Sequence, residues 1–130
     1  MRARPGQPDY GSLAVLLAWT MTAGDSIDLP ASCFFPAPKV TSTFLCLAPR
    51  SDAPEASVLR AYERSLRAGF AHRRKTLVNS LGRAADIPAS RTIAALREIG
   101  MTERTRAEQL DPAQWLALAG RLLERRSEPA

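Results

Sequence analysis

Val40-Thr41-Ser42-Thr43-Phe44-Leu45-Cys46-Leu47 is the segment on which the fold turns. It is rich in β-branched and aromatic residues, which fit a pleated surface. No charge interrupts it, and apolar side chains follow one another instead of alternating with charged ones, as in a strand buried on both faces. A shorter strand is expected upstream over Ala23–Asp28, ended by Pro30. Before that, Gly11–Met21 is mostly apolar with few β-branched residues. It reads as a buried helix, with Ser12 as its N-cap and Leu13, Leu16, Leu17 and Thr20 at helical spacing. One helix and two strands do not make a stable sheet alone. Residues 1–50 are therefore expected to be the incomplete end of a larger α/β domain.

Downstream, Pro49 and Pro54 bracket a polar linker, Arg50–Pro54, and a domain boundary is expected there. Everything beyond it has helical periodicity. Leu59, Tyr62, Leu66 and Phe70 lie on one stripe of Glu55–Phe70, and the helical pattern continues over Arg73–Leu81 through Leu77, Val78 and Leu81, with Gly82 ending or interrupting it. Pro88 and Ser90 open a helix over Arg91–Ile99 that Gly100 ends. Asp111-Pro112 starts a last helix whose apolar face is Trp115, Leu118, Leu122 and Leu123. Met1–Asp9 reads as a loop and Arg125–Ala130 as a frayed tail. The expected class is α+β: a remnant of a sheet (one helix, two strands) over 1–50, then a mainly helical domain over 51–130.

The chain has 130 residues, enough for one ordinary domain or for a small domain plus a piece of another. It carries 18 Lys+Arg against 13 Asp+Glu, a net charge of +5. The excess sits in residues 51–100, with nine basic and five acidic groups, whereas residues 101–130 hold five of each. Sixteen of the basic residues are Arg, whose planar fork suits phosphate, although codon composition explains such a ratio equally well. Catalytic parts are missing: there is no Gly-rich loop after a strand, no Ser–His–Asp arrangement and no carboxylate pair with a shared site. Cys33 and Cys46 lack metal-ligand spacing and His72 is the only histidine, so no metal site is expected, and both thiols read as free in a reducing cytoplasm. The longest apolar run, Leu13–Met21, is too short to span a bilayer, so no membrane partner is expected.

Two segments carry chemistry. Within Phe70–Leu81, Arg73, Arg74 and Lys75 are expected to fan around more than half of a helix, with Arg60, Arg64 and Arg67 preceding them on one face. Adjacent cations repel, so a polyanion is a suitable partner. The plain alternative is a solvated helix face. In Phe34-Phe35-Pro36-Ala37-Pro38-Lys39-Val40, prolines stiffen a loop that holds an aromatic ring for stacking on an unstacked base. Here the plain alternative is that Phe34 or Phe35 plugs the core beneath the loop. Asp28-Leu29-Pro30-Ala31 resembles the motif with which amino-group methyltransferases grip a base amine. Its fourth position has no ring, and it reads as a strand end.

Tyr10-Gly11-Ser12-Leu13-Ala14-Val15, Phe34 through Ser42, Phe70 through Leu81 with its Arg-Arg-Lys centre, and Arg106-Ala107-Glu108-Gln109-Leu110 follow one another in an order and spacing that resemble the C-terminal portion of KsgA-type ribosomal RNA adenine dimethyltransferases. The resemblance covers nearly all of residues 2–124. It implies an S-adenosylmethionine-dependent enzyme with a Rossmann-like catalytic domain and a small helical C-terminal domain, which methylates two adjacent adenines of small-subunit rRNA during ribosome assembly in the cytoplasm. Residues 1–50 are then the last helix and last two strands of the Rossmann-like methyltransferase sheet, and residues 51–130 the rRNA-binding helical domain. Phe34 matches the loop aromatic that stacks on the flipped adenine. Lys39, Arg67, Arg73, Arg74 and Lys75 are the expected RNA contacts, the last three as the family's basic helix. Ala14, Ala18 and Ala31 stand where Ser, Gln and Pro are usual. The family's cofactor loop, acidic ribose-binding residue and Asn-Leu/Ile-Pro-Tyr/Phe motif lie upstream of this chain's first residue. The resemblance therefore implies an inactive portion that keeps RNA or ribosomal-subunit binding, does not hold S-adenosylmethionine by itself, and pairs with the missing catalytic half. The alternatives are a stand-alone basic RNA- or ribosome-binding module, and a partner that completes a sheet from another chain.

Overall fold

The computed structural model describes residues 4–7 and 10–124, the side chains of Leu123 and Glu124 excepted. The expected frayed tail and most of the expected N-terminal loop lie outside these residues. The described elements are α1 (Ser12–Thr20), β1 (Met21–Leu29), β2 (Ser42–Pro49), α2 (Ala56–Phe70), α3 (Leu77–Ala85), α4 (Ala89–Glu98) and α5 (Pro112–Glu124). The chain is α+β, with a two-stranded ribbon on one side of a helical cluster.

Local chemistry sets the helix ends. The Gln114 N–H donates to Asp111 Oδ1 at 2.7 Å and the Asp111 N–H to Gln114 Oε1 at 2.9 Å, a reciprocal cap that starts α5. Gly100, at φ +78°, ends the α4 segment and lets the Met101 N–H reach the Leu96 carbonyl at 2.9 Å. Gly82 neither ends nor breaks α3, which runs on until Asp86 turns into the left-handed region at φ 52°.

Tyr62 and Leu66 of α2, Leu77 and Leu81 of α3, Ala95 and Leu96 of α4, and Trp115 and Leu118 of α5 are fully buried together with Leu110. Trp115 is the hub. Its ring stacks on Phe70 with centroids 5.5 Å apart, and its Nε1–H donates to the Ala107 carbonyl at 3.2 Å. Gly69 permits this approach, because a methyl group there would overlap the Trp115 ring and press on Leu77 Cδ2 at 3.0 Å.

Tyr10 and α1 join the same core, although they precede the boundary expected after residue 50. Tyr10 and Val15 are buried in it, and Leu16 and Trp19 pack against it. The Tyr62 hydroxyl donates to the Val15 carbonyl at 2.6 Å, the Tyr10 hydroxyl to Leu110 at 2.8 Å and Trp19 Nε1–H to Pro112 at 2.9 Å. Burial, reinforced by the Asp111 carboxylate, pushes the Tyr10 hydroxyl up to about 12, and burial raises Tyr62 well above the usual phenol range. Both therefore stay neutral donors. The stripe expected on α1 is corrected: Val15 is its buried residue, and Leu13 is exposed. A helix apolar on nearly every side gives periodicity no face to report. Gly11, not Ser12, is its N-cap.

The strands also depart from expectation. β2 begins at Ser42, while Val40 lies in the preceding loop, and β1 is longer than the expected Ala23–Asp28. They pair antiparallel from Leu29↔Ser42 to Met21↔Pro49, with an irregularity between Ala23 and Ser26. Burial on both faces is not observed among the described residues. Ile27 and Phe44, opposite one another, are 64% and 59% exposed, and Leu47 on the other face is also exposed. With two strands, most of both faces stays open, and only Met21, Leu29, Ser42 and Leu45 are half-buried. The ribbon is tied back by Arg50. Its N–H bonds the Thr20 carbonyl at 2.9 Å and its guanidinium donates to Ala18 at 2.6 Å, lies 5.3 Å from the Trp19 ring centroid and pairs with Asp52 at 2.7 Å. That pairing holds the Asp52 carboxyl below its ordinary range.

Candidate nucleic-acid interface

Arg73, Arg74 and Lys75 do not lie on a helix. α2 stops at Phe70, residues 71–75 form a turn closed by the Lys75 N–H on the His72 carbonyl at 2.9 Å, and Thr76 starts α3. Thr76 adopts extended backbone, φ −64° and ψ 158°, so that its Oγ1 accepts from the Asn79 N–H at 3.4 Å. A residue cannot take that N-cap conformation and continue the preceding helix, and this is why the expected unbroken helix is absent. The three cations are exposed at consecutive positions of a turn instead of being spread around a cylinder.

The turn is pinned on its far side too. The Leu77 N–H donates to the Thr105 carbonyl at 2.8 Å. Thr105 is buried, and its neighbours Arg104 and Arg106 are exposed. The fold thus brings a second basic segment beside Arg73–Lys75. Charge counting missed it because residues 101–130 sum to zero, and the usable signal was the pair of arginines flanking Thr105. Nearby Glu103 pairs with Arg97 at 3.5 Å.

Arg67 is placed differently. It pairs with Glu63 at 2.8 Å and, with Arg64 and Arg91, lines a groove of about 640 Å³ floored by alanines of α2, α3 and α5. Arg91 donates there to the Leu122 carbonyl.

Phe34 and Lys39 lie on the loop between the strands. A short 3-10 turn, Ala31–Cys33, follows Pro30, with the Cys33 N–H on the Pro30 carbonyl at 3.0 Å and the Phe34 N–H on Ala31 at 3.2 Å. Neither phenylalanine plugs the core: Phe34 is 41% exposed and Phe35 101%. Lys39 is exposed as well. Asp28-Leu29-Pro30-Ala31 is a strand end, as expected. The site residues therefore fall on two segments, the inter-strand loop and the helical cluster.

A nucleoside donor in an open α/β sheet sits in a crevice at the carboxyl ends of several strands. Here two strands are exposed along most of their length, and the groove of about 640 Å³ lies among helices, its lining bearing three arginines and a single carboxylate, Asp86. Among the described residues no three His, Cys, Asp or Glu side chains gather to hold a metal, and no helix is long and apolar enough to cross a membrane. Cys33 and Cys46 are both exposed and free.

The family described as ribosomal RNA adenine dimethylase matches residues 1–124. The chain belongs to that family. It is 42% identical over 117 residues to ribosomal RNA small subunit methyltransferase A of Azorhizobium caulinodans, a match covering 90% of this chain and 38% of the relative. It is 40% identical over 121 residues to the protein of the same name from Myxococcus xanthus, covering 91% and 42%. Among solved structures, the 23S rRNA methyltransferase ErmE superposes with a TM-score of 0.58 at 28% identity, covering 92% of this chain and 50% of that one. A dimethyladenosine transferase from Plasmodium falciparum, at 23% identity and TM-score 0.64, shares the fold over 89% of this chain and 50% of its own. The chain thus spans about two fifths of the length of these curated relatives and half of these solved chains.

Proposed function

We propose that this chain is the C-terminal, RNA-contacting portion of an adenine dimethyltransferase acting on small-subunit rRNA in ribosome biogenesis. Residues 1–50 supply the last helix and strands of a Rossmann-like sheet, and residues 51–130 the helical RNA-binding domain. The observation that carries this reading is the turn Arg73-Arg74-Lys75, three consecutive exposed cations held between the end of α2 and Thr105. A turn fixed at both ends presents charge to a phosphate backbone with little ordering cost. Arg104 and Arg106 extend the basic surface, Arg67 adds charge along α2, and Phe34 with Lys39 offers a ring and a cation from a proline-stiffened loop.

Binding of an rRNA hairpin with an unpaired loop tests the reading. The expected isotherm weakens steeply with salt, log K falling by roughly 2 or more per decade if three phosphates are neutralised. An isotherm indifferent to salt contradicts it.

The chain's own residues bind and orient RNA, while S-adenosylmethionine, in the family's chemistry, supplies the methyl group. The exposed faces of β1 and β2 support docking onto further strands that hold the donor. Calorimetric titration of S-adenosylmethionine onto this chain is expected to show no saturable binding, and saturation at micromolar donor would overturn this part. Stand-alone RNA or ribosome binding without catalysis is the second reading, favoured by the closed core that Tyr62, Leu66, Leu77, Leu96 and Trp115 form without the ribbon.

A further inference from the structure

We propose that Phe35 is a stacking platform for an unpaired RNA base, separate from Phe34. The proposal rests on the RNA-facing reading above and adds to it a residue and a second base. Phe35 is 101% exposed, the most exposed large apolar side chain described. Water is a costly environment for a whole phenyl ring, and a flat apolar partner would relieve it.

Three observations favour a base as that partner. The first is stiffness. Pro36 and Pro38 each fix φ, and Pro36 keeps Phe35 out of the helical region, so the backbone that carries the ring has little freedom to lose on contact. The second is charge. Pro30 to Thr41 contains Lys39 and no carboxylate, so a phosphate next to a stacked base meets attraction without repulsion. The third is direction. Phe34 is extended, φ −123° and ψ 151°. Successive side chains of extended backbone leave on opposite sides. One base therefore cannot stack on both rings, and the two phenylalanines serve different nucleotides.

The test compares a short oligouridylate with a ribose-phosphate chain of equal length that lacks bases, each titrated with the full chain. Phe35→Ala is expected to weaken oligouridylate binding about five- to hundredfold, the range for losing one base–aromatic stack. It should leave the salt slope and the affinity for the baseless chain unchanged, because no charge is removed. Phe35→Trp should restore binding and Phe35→Leu should not, which separates a ring from mere apolar bulk. Losses from Phe34→Ala and Phe35→Ala should add as free energies, as they do for independent sites. Unchanged oligouridylate affinity in Phe35→Ala, equal losses on both polymers, rescue by Leu, or no effect of Phe35→Ala in the Phe34→Ala background overturns the proposal. In each of those cases, binding that still depends on Arg73, Arg74 and Lys75 leaves the RNA-facing reading standing. If the wild-type chain binds neither polymer, the broader reading falls and this proposal with it.

Discussion

Changing Arg73, Arg74 and Lys75 together to alanine is expected to weaken RNA binding about 100-fold at about 0.1 M salt. Each cation that neutralises a phosphate of single-stranded RNA contributes about 0.7 to the slope of log K against log salt. Removing three lowers the slope by about 2, and at that salt the affinity falls by the stated factor. The fold should survive. The turn is held by the backbone bond from Lys75 to His72, by the Thr76 cap and by the bond from Leu77 to Thr105, none of which uses the three side-chain charges. Far-UV circular dichroism checks the fold, and titrations at several salt concentrations check the slope. A tenfold loss without a change of slope would mean that the side chains act otherwise than on phosphate.

Trp115→Ala is expected to cost about 3–5 kcal/mol of stability, the range for emptying a large aromatic from a core. Three losses coincide. The ring leaves a cavity against Gly69 and Leu77, the stack with Phe70 disappears, and the Ala107 carbonyl loses its donor. A small domain holds about 5–15 kcal/mol in total, so the variant should be largely unfolded or close to it. Urea unfolding followed by circular dichroism measures the change. Phe44→Ser, on the exposed ribbon, is the contrast and should alter stability by less than about 1 kcal/mol. If both variants unfold alike, the core is not centred where Trp115 sits.

Legibility in the sequence followed the amphipathicity of each element. α2 and α5 were readable because each has one apolar stripe and polar remaining faces: Tyr62 and Leu66 are buried as expected, and so are Trp115, Leu118 and Leu122. The Asp111-Pro112 start was readable because a side-chain cap leaves a chemical signature. α1 was unreadable in orientation because it is apolar nearly all round. β2 was read as buried because apolar composition reports what a strand can bury, not what is there to cover it. The break at Thr76 was the consequential miss. Leu77, Val78 and Leu81 continue an apolar pattern that hides the interruption, although Thr76 three residues before Asn79 was a visible cap. The miss changed the site, since cations on a turn pinned to Thr105 acquire Arg104 and Arg106 as neighbours, which no spacing along one helix would suggest. In the inter-strand loop, residue types pointed to Phe34 and Lys39, but only the fold shows that Phe35 is the more exposed ring.

Photocrosslinking of the chain to an rRNA hairpin with an unpaired loop, with crosslinked peptides identified by mass spectrometry, tests most directly which surface meets RNA. The account predicts that adducts concentrate on the loop from Phe34 to Lys39 and on the turn from Arg73 to Lys75, with a second cluster around Arg104 and Arg106. Adducts confined to the exposed faces of β1 and β2, or to the α4–α5 side around Arg121 and Glu98, would contradict it.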